Sequence, residues 1–497
     1  MKVTVIASLL FSILATILFF GQNLGISVIL FVIPYLGFTI YYIEKRQKAK
    51  NRKAYLLVVP IILLAATYFI YQNRFFQIFN IVVMLILYNI MLIWCMEQKY
   101  ELEFVMKRIL GLFLKPFSFL SIALHQIGHV FTSKKSQNEK MKPKKGITKQ
   151  IMIGVGVSIP LLILIIALLS SADFQFANGI SQISKFFYEN MDKFFDEQWG
   201  FSIFLRLLTI IILTIYLMSF FINLRTRQPW KIGDERNICI HVDTVICNTV
   251  VTLLNIVYVI FCSIQVTNLI ETMVNHQSIE YASYAREGFF QLMVVSIINF
   301  IIILVTTQNK KESTKPQMIY RKVMNLILAI STIIILISAF VRMNLYGEAY
   351  GYTFLRILVY FTLITEGLLM IPTMVYIWKG GKLPTRSYFI IVVIIYLAMN
   401  FSNIPNMIAT KNVNRYLEQQ NQIESKIDVL YLTKTKTDGL EEVIKLYETT
   451  QDPVIKRQLE AYFENLSLQL EKEDSWVEWN YSRWEARNLL EQIEYES

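Results

Sequence analysis

Charged side chains are scarce in this sequence. Only 17% of its 497 residues are Asp, Glu, Lys or Arg, where a soluble domain averages roughly a quarter. With 55% apolar residues beside them, that shortage excludes an ordinary water-bathed fold and makes lipid the main solvent. Cysteine is rarer still. Cys95, Cys239, Cys247 and Cys262 all lie within or beside apolar stretches, and none belongs to a CxxC pair. That excludes a disulfide framework and leaves no zinc or iron–sulfur ligand spacing, so the cysteines are expected to serve as small apolar packing residues. Internal repeats and low-complexity tracts are missing too. The net charge of +11 does not argue for a nucleic-acid partner, because the excess sits in particular loops rather than on one basic patch.

What the sequence has in abundance is long apolar runs. A helix needs about 20 apolar residues to cross the hydrocarbon core, since each rises about 1.5 Å. That criterion predicts about eleven spans, near 3–20, 24–43, 54–72, 75–96, 151–171, 201–223, 242–267, 288–307, 324–341, 353–378 and 386–402. The first has a leader of one lysine and no small-residue cleavage motif, so an uncleaved hairpin is expected rather than a signal peptide. Prolines 34, 60, 160 and 372 fall inside spans and are expected to kink them.

Lys and Arg mark cytoplasmic loops. The connection after the second span carries Lys45, Arg46, Lys48, Lys50, Arg52 and Lys53, and residues 97–150 carry at least ten more basic residues, among them Lys107, Arg108 and Lys115. Later even-numbered connections hold Arg225, Arg227, Lys231 and Arg236, then Lys310, Lys311, Lys315, Arg321 and Lys322, then Lys379, Lys382 and Arg386. Alternate connections are nearly bare, with Arg74, Lys185, Lys193, Arg286 and Arg342. This alternation predicts a cytoplasmic N-terminus and an extracytoplasmic tail. The expected organisation is four N-terminal spans over 1–96, a cytoplasmic basic amphipathic segment over 97–150, a seven-span core over 151–402, and a helical tail over 403–497. The amphipathic segment places Ser118, Ser121, His125 and His129 on one stripe of an interfacial helix. The tail pattern predicts short helices near 407–421, 437–449, 453–471 and 476–493. Trp476, Trp479 and Trp484 in the last are expected in its core, the alternative being the membrane surface.

Two patterns invite chemistry. His125-Gln126-Ile127-Gly128-His129 has the spacing of a zinc-protease helix, but Gln126 stands where a general-base Glu is required, so that hydrolysis is excluded. A charge inside the membrane is a stronger signal, costing about 2.5–3.5 kcal/mol at mid-depth. Glu366 lies at the midpoint of the tenth span, with Thr362 and Thr373 on its face and Gly367 and Pro372 beside it. It reads either as a proton- or cation-responsive carboxylate or as a buried Glu tied to a neighbouring helix. Arg206 and Arg356, near helix ends, are expected to snorkel.

From about residue 150 to 497 the chain resembles a bacterial multi-pass membrane family known only as a domain of unknown function (the 4153/4173 group). The residues that carry the resemblance are Ser171-Ala172-Asp173 and the stretch Tyr281-Ala282-Ser283-Tyr284-Ala285-Arg286-Glu287-Gly288-Phe289-Phe290. Arg342-Met343-Asn344-Leu345-Tyr346, Tyr350-Gly351, Leu355-Arg356, Asn412-Val413-Asn414-Arg415-Tyr416, and Trp476 with Trp479-Asn480 and Arg483 continue it. The resemblance implies a bacterial cell membrane, no established activity and no cofactor. On the charge-derived topology Asp173, Tyr281, Tyr284, Arg286, Arg342, Tyr346, Glu348, Tyr350 and Arg356 share one depth at the outer face. They are read either as a site for an anionic envelope component or protein partner, with arginines suited to phosphate or carboxylate, or as a network seating the tail. The expectation is an all-α polytopic bundle acting as a non-enzymatic sensor or scaffold. The alternative is a transporter coupled through Glu366.

Overall fold

The computed structural model describes residues 2–46, 49, 51–96, 181–182, 198–225, 244–275, 289–308, 314–381, 383–418, 427–470 and 475–493. Among these there is no β-strand. The helices are α1 (Lys2–Phe19), α2 (Ile26–Arg46), α3 (Val58–Ile70, preceded by a 3-10 turn at Arg52–Leu57), α4 (Arg74–Met96), α5 (Gln198–Arg225), α6 (Thr244–Asn275), α7 (Phe289–Gln308), α8 (Lys315–Tyr350), α9 (Phe354–Lys379) and α10 (Thr385–Phe401). The tail adds α11 (Ile404–Glu418), α12 (Val429–Leu432), a 3-10 turn at Thr433–Gly439, α13 (Leu440–Thr449), α14 (Pro453–Leu470), a 3-10 turn at Trp476–Glu478, and α15 (Tyr481–Glu491).

Helices form where the apolar runs lie because a backbone in lipid must satisfy its own hydrogen bonds. Eight described helices are long and apolar enough to cross a bilayer, nine if α10 and α11 count as one pair bent by 59°. The chain is therefore an all-α integral membrane protein. The expected count of eleven is not reached among the described residues: α1 is a shorter apolar helix, and the stretch 151–171 lies outside them. So do the amphipathic segment with its histidines, Cys239, Asp173, Tyr281, Tyr284 and Arg286. The other three cysteines are buried and form no disulfide among the described residues. α2 and α9 run unbroken through Pro34 and Pro372, whereas Pro60 sits in the first turn of α3, where its missing N–H costs nothing.

Two compact units divide the chain. One comprises Met1–Ala65, Ile81–Lys231 and Ser475–Glu478. There α1 packs against α5 along a face that buries Ser8 and Ser12, small residues that let backbones approach closely. Tyr35, Phe38, Tyr42, Tyr88, Phe220 and Phe221 form an aromatic cluster, and Tyr42 Oη donates to the Phe221 carbonyl at 3.2 Å. Arg206 lies over the Phe20 ring at 5.3 Å. The Glu478 carboxylate accepts from the backbone and side-chain nitrogens of Asn23 at 2.9 and 2.8 Å, gripping the α1–α2 turn.

The second unit comprises Ala66–Asn80, Ile232–Asp474 and Trp479–Ser497. Its axis is α8, which packs against α6, α7 and α9. At 36 residues it is about 54 Å long, against a hydrocarbon core of about 30 Å. The span predicted at 324–341 is therefore only its middle. Arg342, Tyr346, Glu348 and Tyr350, expected on a loop, continue the helix for two further turns. Asn403, at positive φ, begins the bend between α10 and α11, its Oδ1 accepting from Asn406 N at 3.3 Å. In the tail, Leu440, Val443, Leu446 and Tyr447 make a buried helical stripe that meets Leu459 and Phe463 of α14. Each such side chain stabilises by about 1.5–3 kcal/mol relative to exposure. The tryptophans do not share this core. Trp476, Trp479 and Trp484 are 68, 41 and 49% exposed, because aliphatic residues and Phe463 already fill the space, and α15 starts only at Tyr481.

Candidate functional site

α8 ends at a turn that the tail holds. Gly351 has φ +81, and a Cβ there would stand 2.8 Å from Asn412 Oδ1 and 3.2 Å from an Arg415 nitrogen, so only glycine fits. Asn412, on α11, accepts from Tyr352 N at 2.7 Å and donates to Tyr352 O at 2.8 Å. Arg415 Nη1 donates to Ala349 O at 3.0 Å, and Arg356 Nη1 donates to Tyr350 O at 3.1 Å and to Gly351 O. Two guanidinium groups thus cap the last carbonyls of a long helix, where the macrodipole favours cations. Burial, then the nearby Arg356, lowers the Arg415 pKa.

The described residues of the expected outer cluster are engaged within this assembly. Arg342 donates to Gln265 Oε1 at 2.8 Å. Glu348 accepts from Asn344 at 2.8 Å, the Tyr346 and Tyr350 rings are 5.1 Å apart, and Arg356 lies 4.1 Å over Tyr346. Asp173, Tyr281, Tyr284 and Arg286 lie outside the described residues.

The intramembrane candidates separate. Thr362 is exposed and donates back to Leu358 O, and Thr373 is buried against Tyr388 Oη at 2.9 Å. Glu366 turns instead to Ser296 on α7, whose Oγ also lies 2.7 Å from Met293 O. The Ser296 hydroxyl thus donates toward both the Met293 carbonyl one turn back and the Glu366 carboxylate on the neighbouring helix. Its second oxygen, Oε1, is buried without a hydrogen-bond partner among the described residues.

A cleft that the sequence reading missed lies beside the tail's 3-10 turn. It encloses about 250 Å³, and Arg74, Lys434 and Lys436 line it with Phe75, Phe354 and Tyr431. Arg74 begins α4 and Phe354 begins α9, so the cleft opens at the ends of apolar helices. None of the three cations forms an ion pair among the described residues. Lys436 has φ 53 and ψ −140, a sparsely populated conformation for a residue with a Cβ. Its neighbours fix it there: Thr435 Oγ1 donates to Leu432 O at 2.6 Å and Thr437 Oγ1 to Gln72 Oε1 at 3.0 Å. Burial, then Arg74 and Arg483, lowers the Lys436 pKa.

Asp438 closes the floor. Both its oxygens lie 3.0 Å from Gln72 N in the α3–α4 turn, and burial pushes its pKa up to about 6 against the hydrogen bonds to Ser482 and Gln72. The only hints of this site in the sequence were the lone Arg74 on a nearly bare connection and the alternating Thr-Lys-Thr-Lys-Thr of 433–437.

No curated protein matches the chain, and no solved structure does. A family does match, over residues 58–446. The match starts earlier than the expected boundary near 150, taking in α3 and α4, and stops short of the Trp476–Arg483 segment. With more than half of its length covered, the chain belongs to the family described as domain of unknown function DUF4153.

Proposed function

We propose that this integral membrane protein is a non-enzymatic receptor or scaffold that binds an anionic amphiphile of the cell envelope. The cleft between the tail and the helix ends is its site. The observation that carries this reading is the convergence of Arg74, Lys434 and Lys436 with Phe75, Phe354 and Tyr431 in one cleft, with no ion pair among the described residues to neutralise the cations. Three cations lining one cleft with aromatic rings suit a phosphate with an apolar body. The site differs from the outer cluster expected from sequence, in which Arg342 and Arg356 already serve a neighbouring side chain and a helix end. Basic-residue bias favours the extracytoplasmic side of a bacterial membrane for the tail and cleft.

Binding of dihexanoyl phosphatidylglycerol to the detergent-solubilised full chain, by calorimetry at low and high salt, tests the reading. Binding is expected to weaken with salt and to fall about tenfold for each of Lys434→Gln and Lys436→Gln. Inorganic phosphate and glycerol phosphate, run in parallel, separate recognition of the phosphate from recognition of the apolar body. Equal binding by the variants and the parent overturns it.

A second reading, proton-coupled transport, is favoured by one observation. Glu366 lies within α9 with its Oε1 buried and without a hydrogen-bond partner among the described residues, and an ionisable group inside a membrane span is a candidate proton site.

A further inference from the structure

The start of the last tail helix and the residues just before it present partly exposed aromatic rings. Trp479 and Tyr481 are each 41% exposed and Trp484 is 49% exposed, and the Tyr481 and Trp484 rings lie 5.8 Å apart. The opposite face of α15 buries Ser482, Ala486 and Leu490, so the helix is already seated on its domain and the rings are surplus to that packing. On a surface bathed in water such a patch is a liability.

The contacts of this segment say what covers it. The Trp479 ring stacks on Phe69, centroids 6.2 Å apart, in the last turn of membrane helix α3. Next to it, Asn480 Nδ2 donates to Tyr68 O at 2.9 Å and Tyr71 O at 3.1 Å, carbonyls that a helix end leaves without intrahelical partners. Asn480 Oδ1 at the same time accepts from Arg483 N at 3.1 Å and caps α15. One side chain therefore joins the start of α15 to the end of α3, and α15 begins at the level where the apolar run of that span stops. Phe75 at the start of α4 and Phe401 at the end of α10 are exposed at helix ends as well. The aromatic patch thus begins beside the end of an apolar helix long enough to cross a bilayer. Trp and Tyr are the side chains whose apolar rings and polar edges suit the headgroup region.

We infer that the Trp479–Trp484 face of α15 is a membrane-interface anchor, seated among phospholipid headgroups of the leaflet at that end of the bundle. It is separate from the cationic cleft: here the occupant is the bilayer surface itself and the contact is apolar. The anchor holds the tail against the bilayer and restrains the mouth of the cleft.

The test uses the full chain in phosphatidylcholine–phosphatidylglycerol vesicles, with the four native cysteines replaced by alanine. A nitroxide is placed at Trp484→Cys or at Leu468→Cys, an exposed position of α14 that serves as the water-facing control. The label at 484 is expected to gain collisions with oxygen and lose collisions with a water-soluble nickel chelate relative to the label at 468. Equal nickel access at both positions places the face in water and overturns the inference. Shielding from both reagents at 484 means a protein partner or second copy covers it, and overturns it equally. Should the cysteine-free background fold poorly, the native chain serves with phospholipids brominated near the headgroup. Trp479→Phe with Trp484→Phe is then expected to lose part of the tryptophan quenching, and unchanged quenching overturns the inference.

Discussion

Asn412 reads both polar groups of one peptide residue: its Oδ1 accepts the Tyr352 N–H at 2.7 Å while its Nδ2 donates to the Tyr352 carbonyl at 2.8 Å. These bonds join α11 of the tail to the turn between α8 and α9. The Asp438–Gln72 contact does the same for the turn between α3 and α4. The tail therefore meets connections that the charge alternation assigns to one side.

Removing Asn412 leaves a buried N–H and a buried carbonyl without partners. Asn412→Ala is expected to destabilise the tail's seat by about 2–6 kcal/mol, at 1–3 kcal/mol for each of the two groups left unmade. Asn412→Asp, which accepts but cannot donate, is expected to fall between. Thermal midpoints in detergent and the rate of tail proteolysis report this. Parental values for Asn412→Ala would mean the contact is not made in solution.

Asp438 gives stability a pH dependence whose sign follows from its burial. Its folded-state pKa is raised from 3.8 to about 6, so the folded state holds a proton that the unfolded chain releases. That contribution is fully present below 3.8 and is lost as pH rises through about 6, a change of roughly 3 kcal/mol. The unfolding free energy should decline by that amount between pH 4 and 7, and the thermal midpoint should fall with it. In Asp438→Asn, which still accepts from Gln72 N, this part of the slope should vanish. Identical slopes in the two proteins would remove Asp438 as its source.

Glu366→Gln tests the intramembrane carboxyl. The glutamine side chain keeps an oxygen that accepts from Ser296 Oγ as the carboxylate does, so insertion and thermal stability are expected to stay within about 0.5 kcal/mol of the parent. If the protein is a receptor, proton uptake into vesicles carrying either protein equals that of protein-free vesicles. Uptake that is present in the parent and absent in the variant establishes the transport reading in its place.

Much of the fold was legible from local pattern. Ten of the predicted spans coincide with described helices to within a few residues at most ends, and the tail helices appear near their predicted places. The misses have physical causes. α8 outruns its apolar segment because a helix needs no hydrophobicity to continue into a polar region where its carbonyls find Arg356 and Arg415. The tryptophans lie outside the tail core because amphipathicity fixes which residues share a face, not which face finds a protein partner. Thr362 and Thr373 share spacing with Glu366, yet each has its own neighbour.

The sequence by itself determined the solvent, the class and the helix positions, since a backbone crossing lipid must close its own hydrogen bonds wherever about 20 apolar residues run together. Only the tertiary structure decided which polar groups converge. Asp438 meets Gln72 from 366 residues away, and Lys434, Arg74 and Phe354 reach one cleft from three separate helix ends. Such meetings depend on how helix ends are brought together in three dimensions, and no local periodicity encodes that.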